Sequence, residues 1–135
     1  MKAVFGSSAR FLDLSFLILR LGLGFVFVNA GALKLLNPGF AEMMAMPTWL
    51  FLLIGSLEIL SGIGILLGLL TRPSAVYQVI ILLGAIFVVG GGNIENIQIP
   101  VALDLGLLTM PLALLLHGPG RFSVDAILFN FRRER

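Results

Sequence analysis

Cysteine is absent from this chain, and histidine, tryptophan and tyrosine occur once each. Without cysteine there can be no disulfide, no thiol relay and no thiolate-ligated metal. His117 alone offers no second imidazole for a haem or a metal site, and no flavin-binding motif appears. Charge is scarce as well: 12% of the residues are charged, against roughly 25% in soluble domains. Too few polar side chains remain to cover a water-exposed surface. The net charge of +2 comes from no Lys/Arg patch interleaved with aromatics, so no nucleic-acid surface is read here.

What the chain does have is apolar length. Of its 135 residues 59% are hydrophobic, and the mean hydropathy is +1.07. Four runs near 14–36, 49–70, 74–92 and 97–117 each match the roughly 20 helical residues that a bilayer core needs. Backbone amides in lipid must be satisfied within their own segment, which makes helices the default. The breaks carry turn chemistry: "NPGF" at 37–40, "TRPS" at 71–74, "GGGNIEN" at 90–96 and "GPG" at 118–120. The expected fold is all-α, an integral membrane four-helix bundle forming a single domain over 1–135. The short "TRPS" connection makes spans 2 and 3 antiparallel neighbours.

Basic residues orient the spans. Lys2, Arg10, Arg72, Arg121, Arg132, Arg133 and Arg135 fall on one side, with Lys34 alone near the other boundary and Arg20 inside the membrane. Both termini are therefore expected in the cytoplasm. "VNAGA" offers small residues to a signal peptidase, but the apolar run is too long and Arg20 interrupts it, so a retained span is expected. The tail, 121–135, reads as a short interfacial helix. Ser123 caps it, Asp125 lies in its first turn, and Phe122, Ile127, Leu128 and Phe131 give it an apolar side.

Glycines 62, 64 and 68 line one half of span 2, with a G-x-x-x-G at 64–68 that suits packing within the bundle or, alternatively, contact between copies. Met43, Met44 and Met46 carry thioethers that suit Cu(I), but without Cys or a nearby His their burial at the interface beside Trp49 is the better reading. His117 reads as a helix-end residue and not a metal ligand.

The charged residues at membrane depth are the informative ones, because each costs at least about 2.5–3.5 kcal/mol at a span's centre. Glu58 has no basic residue between Lys34 and Arg72. Counting from the cytoplasmic ends at about 1.5 Å per residue, Asn29 lies about 22 Å up, Glu58 about 18 Å and Asp104 about 20 Å. Side chains lean toward their own helix N-terminus, so Lys34 leans down while Glu58 and Asp104 lean up. Asn29, Lys34, Glu58 and Asp104 are thus expected to converge as a ligand site in the outer half, with Asn93 and Glu95 above them. Carboxylates outnumber the lysine, so one is expected to keep its proton, which makes Glu58 the candidate for proton exchange with a ligand protonated on reduction, such as a quinone. A buried network that only fixes helix register is the alternative. Arg20, deeper toward the cytoplasm, is expected to anchor at lipid phosphate with Tyr77 and Gln78 in reach, and Arg121 to sit at the same interface.

The chain resembles the DoxX family of small bacterial and archaeal membrane proteins. The resemblance rests on "LRLGLGFVFVNAGALKLLNP", on "IGSLEILSGIGILLGLLTRPSA" and on "GPGRFSVD", with Arg20, Gly31, Lys34, Glu58, Thr71-Arg72 and 118–125 in order. It implies a multi-pass plasma-membrane protein. One relative is the membrane subunit of an archaeal thiosulfate:quinone oxidoreductase. By that likeness Arg20, Lys34, Glu58 and Asp104 become candidates for a quinone pocket; Asp104 and "ENIQIP" depart from the pattern. With no redox centre of its own, such a subunit needs a redox partner protein. A non-enzymatic scaffold or assembly partner is the second reading, and a proton or solute conduit, which would require a homo-oligomer, the third.

Overall fold

The computed structural model describes residues 2–89, 99–118 and 120–133, with side chains for 11–87, 103–118 and 120–128. The expectations for Asn93, Glu95 and the "GGGNIEN" turn, and for the side chains of Lys2, Arg10, Phe131, Arg132, Arg133 and Arg135, lie outside the described residues. Among the described residues the chain is helical, without strand. The elements are α1 (Lys2–Leu36), α2 (Phe40–Met43), α3 (Thr48–Leu67), α4 (Thr71–Gly84) with a π-helical continuation over Ala85–Val89, α5 (Ile99–His117) and α6 (Val124–Arg133).

α1 starts far earlier than residue 14 and stops at Asn37, whose backbone and side-chain nitrogens both donate to the Leu33 carbonyl at 3.1 and 3.0 Å. The short α2 inside the connection to α3 carries no apolar period that the sequence could announce. α3 ends at Gly68, which takes the left-handed conformation at φ +69°. Leu69 N–H reaches back to Gly64 O at 2.8 Å and Gly68 N–H to Ile65 O at 3.2 Å, a glycine-terminated helix end that satisfies the last carbonyls. The turn is therefore 68–70, and not "TRPS". Thr71 already opens α4, and Pro73 falls in its first turn, where a missing N–H costs nothing.

α1 packs most extensively against α3, and α4 against α5. The buried face of α1 runs through Arg20, Leu23, Gly24, Phe27 and Gly31, and that of α3 through Phe51, Gly55, Glu58, Ser61, Gly62 and Ile65. Both follow helical spacing. Gly24 lies against Gly62 and Gly31 against Gly55, so close that a Cβ on Gly24, Gly31 or Gly62 would collide with the opposite carbonyl oxygen, and one on Gly55 with the Lys34 side chain. Gly64 instead meets Ser74 of α4, and Gly68 ends its helix against Arg20 and Ser123. The expected G-x-x-x-G stripe thus divides into separate jobs, because glycines 64 and 68 meet different neighbours. Leu23, Phe27, Ile65, Ala75, Leu82 and Leu114 form the apolar core.

Large apolar side chains face outward while several polar ones are buried. Phe25, Leu60, Ile80, Leu103 and Leu116 are exposed, while Arg20, Glu58 and Gln78 are buried. Phe11–Leu36 and Thr48–Leu67 are long and apolar enough to cross a membrane; Thr71–Phe87 and Leu103–His117 are apolar but shorter.

Candidate functional site

Gly31 against Gly55 sets the height of the site. Lys34 lies one turn beyond Gly31 on α1, toward the end of the molecule that carries α2, here the loop end. Glu58 lies one turn past Gly55 on the antiparallel α3, toward the opposite or turn end, where 68–70 joins α3 to α4. Their Cα atoms are therefore offset by about 9 Å along the axes. Both side chains lean toward their own helix N-termini, which is toward one another, and the offset closes. Lys34 Nζ donates to Glu58 Oε2 at 2.6 Å and to Oε1 at 2.9 Å. Glu58 is buried while the Lys34 side chain keeps 23% of its surface, so the carboxylate, more than the ammonium, depends on the geometry of the pair to offset desolvation. The Ser61 hydroxyl donates to the Glu58 carbonyl at 3.0 Å and steadies that turn.

Two cavities share the pair. The larger, about 470 Å³, is lined by Lys34, Glu58 and Asp104 among apolar groups that include Met44, Met46, Phe51 and Ile80. The smaller, about 150 Å³, lies between α1, α4 and α5 and is bounded by Val26, Phe27, Leu82 and Leu107 together with the same three ionisable side chains. Asp104 makes no hydrogen bond to the described residues, yet it is near enough to attract Lys34 electrostatically. Ala85, where α4 becomes π-helical, lines both cavities; such segments recur at functional sites.

Asn29 does not join this cluster. It is exposed on α1, because five residues at 100° each put it well round the helix from Lys34, away from the Phe27–Gly31 face. Tyr77 and Gln78 do not reach Arg20 either. The Tyr77 hydroxyl donates to the Ile54 carbonyl at 3.1 Å, behind the large cavity, whereas Gln78 is fully buried with no partner for its amide among the described residues.

Arg20 departs most from expectation. At 1% exposure it does not reach out to lipid. Its Nε donates to Ile65 O at 2.9 Å, Nη2 to Leu66 O at 3.1 Å and Nη1 to Phe122 O at 2.8 Å. These join α1 to the last turn of α3, where Ile65 O accepts from both Arg20 and Gly68 N–H, and to the loop before α6. The Asp125 carboxylate accepts from Leu70 and Thr71 N–H at 3.0 and 3.1 Å, and Asp125 N–H donates to Gly68 O at 2.9 Å. It thereby caps α4 from outside that helix. Ser123 does cap α6, accepting from Ala126 N–H at 3.1 Å. Arg121 is exposed, its N–H on Asp13 at 3.2 Å, and the His117 ring stacks on Phe16 with centroids 3.8 Å apart.

Several of these contacts carried a usable signal. Gly24/Gly31 and Gly55/Gly62 are each seven residues apart, a matched spacing that marks the paired faces of α1 and α3. Phe51, Ile80 and Ala85 become cavity walls only through tertiary packing.

Exposed apolar side chains around buried ionic groups, with two helices of spanning length, agree with a helical membrane protein. The chain belongs to the DoxX family, whose model matches residues 15–91. It is similar to an uncharacterized membrane protein of Mycobacterium tuberculosis, 34% identical over 129 residues, which covers 82% of this chain and 79% of that one. No solved structure matches the chain.

Proposed function

We propose that this is a multi-pass, single-domain protein of a bacterial or archaeal plasma membrane, and that its larger cavity binds the head group of a quinone or quinol. In this reading α1, α3, α4 and α5 form a four-helix bundle across the bilayer. Both termini and the turn end face the cytoplasm, as the seven basic residues on that side favour, and α6 lies along the inner interface with Phe122, Ile127 and Leu128 outward.

One observation carries the reading: a cavity of about 470 Å³ with apolar walls and three converging ionisable groups, Lys34, Glu58 and Asp104. That is the usual make-up of a small-molecule site. The fit is chemical. The Lys34 ammonium has donors for a ring carbonyl, the Glu58 and Asp104 carboxylates accept from a ring hydroxyl, and Phe51, Ile54 and Ile80 offer an apolar cradle. A bound quinone supplies the electron-accepting chemistry. The protein's part is to orient the head group through Lys34 and to exchange a proton at Glu58 Oε. Electrons come from a redox partner protein, since the chain has neither cysteine nor a second histidine.

The test is binding of menaquinone or ubiquinone to the purified protein. Glu58→Gln is expected to weaken it about tenfold or more, the worth of one charge-assisted hydrogen bond at roughly 1.5–3 kcal/mol. Absence of binding to the parent protein, with Glu58→Gln altering only yield or stability, would select the scaffold reading instead.

A further inference from the structure

Gln78 is the least explained residue of the interior. Its side chain is fully buried, and neither Nε2 nor Oε1 meets a partner among the described residues. A buried polar group left unsatisfied is costly, and this amide carries two.

Pro111 supplies a complementary group. It is buried inside α5 and has no N–H, so the Leu107 carbonyl, four residues earlier, receives no helical hydrogen bond from it. Helix carbonyls point toward the helix C-terminus, which aims that oxygen at the level of Pro111.

The packing of α4 on α5 brings the two groups to one height. Arg72, at the start of α4, lies beside Gly118, just past the end of α5. Ile81, Leu82 and Ala85 share the small cavity with Asp104 and Leu107. The helices are therefore antiparallel. One turn back from Leu82 along α4 is Gln78, and one turn on from Leu107 along α5 is Pro111. A buried amide without partners among the described residues and a carbonyl that Pro111 cannot supply with a helical donor share one level, a turn from the cavity that holds Glu58 and Asp104.

We propose that the Gln78 amide and the Leu107 carbonyl hold an internal water molecule between them. One turn along α4, the small cavity of about 150 Å³ is roomy enough for several more molecules, with Lys34, Glu58 and Asp104 as their polar partners. The Lys34–Glu58 pair then separates two unlike chambers: a large apolar one for a ligand and a small wet one. Glu58 can exchange its hydron with this water on the side away from the ligand. The inference concerns water alone and stands whatever the larger cavity binds.

Nitrogen-15 NMR of the purified protein in micelles tests it through the Gln78 side-chain amide. The expected result is a cross-peak between the Nε2 hydrogens and bound water. Pro111→Ala, a better helix former, returns an N–H to the Leu107 carbonyl and is expected to abolish that cross-peak. A resolved Gln78 amide with no water contact in the parent protein overturns the proposal, as does a cross-peak that survives unchanged in a folded Pro111→Ala. Should that variant fail to fold, the parent measurement decides alone.

Discussion

Arg20 and Lys34, the one buried and the other half-buried, are held in different ways. Arg20, toward the turn end, is bound by backbone carbonyls of α3 and of the loop before α6. Those acceptors are fixed by the helix end and cannot change protonation. Lys34, toward the loop end, is bound by the side chain of Glu58 and faces two cavities. Its partner is titratable and its surroundings have room. A guanidinium held by backbone carbonyls of two other segments is a fastening. An ammonium sharing its carboxylate with a cavity can exchange partners, and it is there that chemistry is expected.

The sharpest way to break this contrast is to remove the fastening. Arg20→Met removes three hydrogen bonds to carbonyls, of which Ile65 O keeps its Gly68 N–H, and at about 1–3 kcal/mol for each acceptor left unpaired the expected cost is about 2 kcal/mol or more. It should appear as a large fall in the thermal midpoint, or as loss of folded yield in detergent. A variant as stable as the parent would show that the guanidinium does not close the turn end.

A milder change at the same end sharpens the contrast. Asp125→Ala removes the carboxylate that caps α4 at Leu70 and Thr71. The expected loss is about 1 kcal/mol, as for other helix caps, read from the thermal midpoint. Quinone affinity should stay at the parent level, because nothing at the turn end lines the larger cavity. If affinity fell along with stability, the two ends would be coupled and the division into fastening and site would fail.

How far the sequence foretold this depends on which rule governed each residue. The Lys34–Glu58 meeting followed from helix rise and side-chain lean alone, both local and regular. Helical character followed from apolar length. The acceptors of Arg20 are not legible in the sequence because they are backbone groups: any residue has a carbonyl, and only the folded chain shows which ones come within reach. Asp125 was assigned to its own helix because capping rules are local, whereas its partners lie 55 and 54 residues away. The cavities depend on where α4 and α5 settle against α1 and α3, and a pattern of hydropathy carries no such distances. Gln78 gave no sign of its isolation, since a glutamine in a helix is ordinary until its neighbours are known.

Asn29 provides the smallest expected effect and a check on the angular argument. Depth alone placed it with Lys34, but depth is one of two coordinates on a helix. The other, about 100° per residue, turns it outward, and it is exposed. Asn29→Leu should therefore change stability by no more than about 0.5 kcal/mol, the range for surface substitutions away from special contacts. Ligand affinity should be unchanged, in contrast with Glu58→Gln at a similar depth. Titrating both variants side by side with the same quinone makes the comparison direct. A loss at Asn29 equal to that at Glu58 would mean that α1 is rotated in the membrane-bound protein, and the pair on its buried face would have to be placed anew.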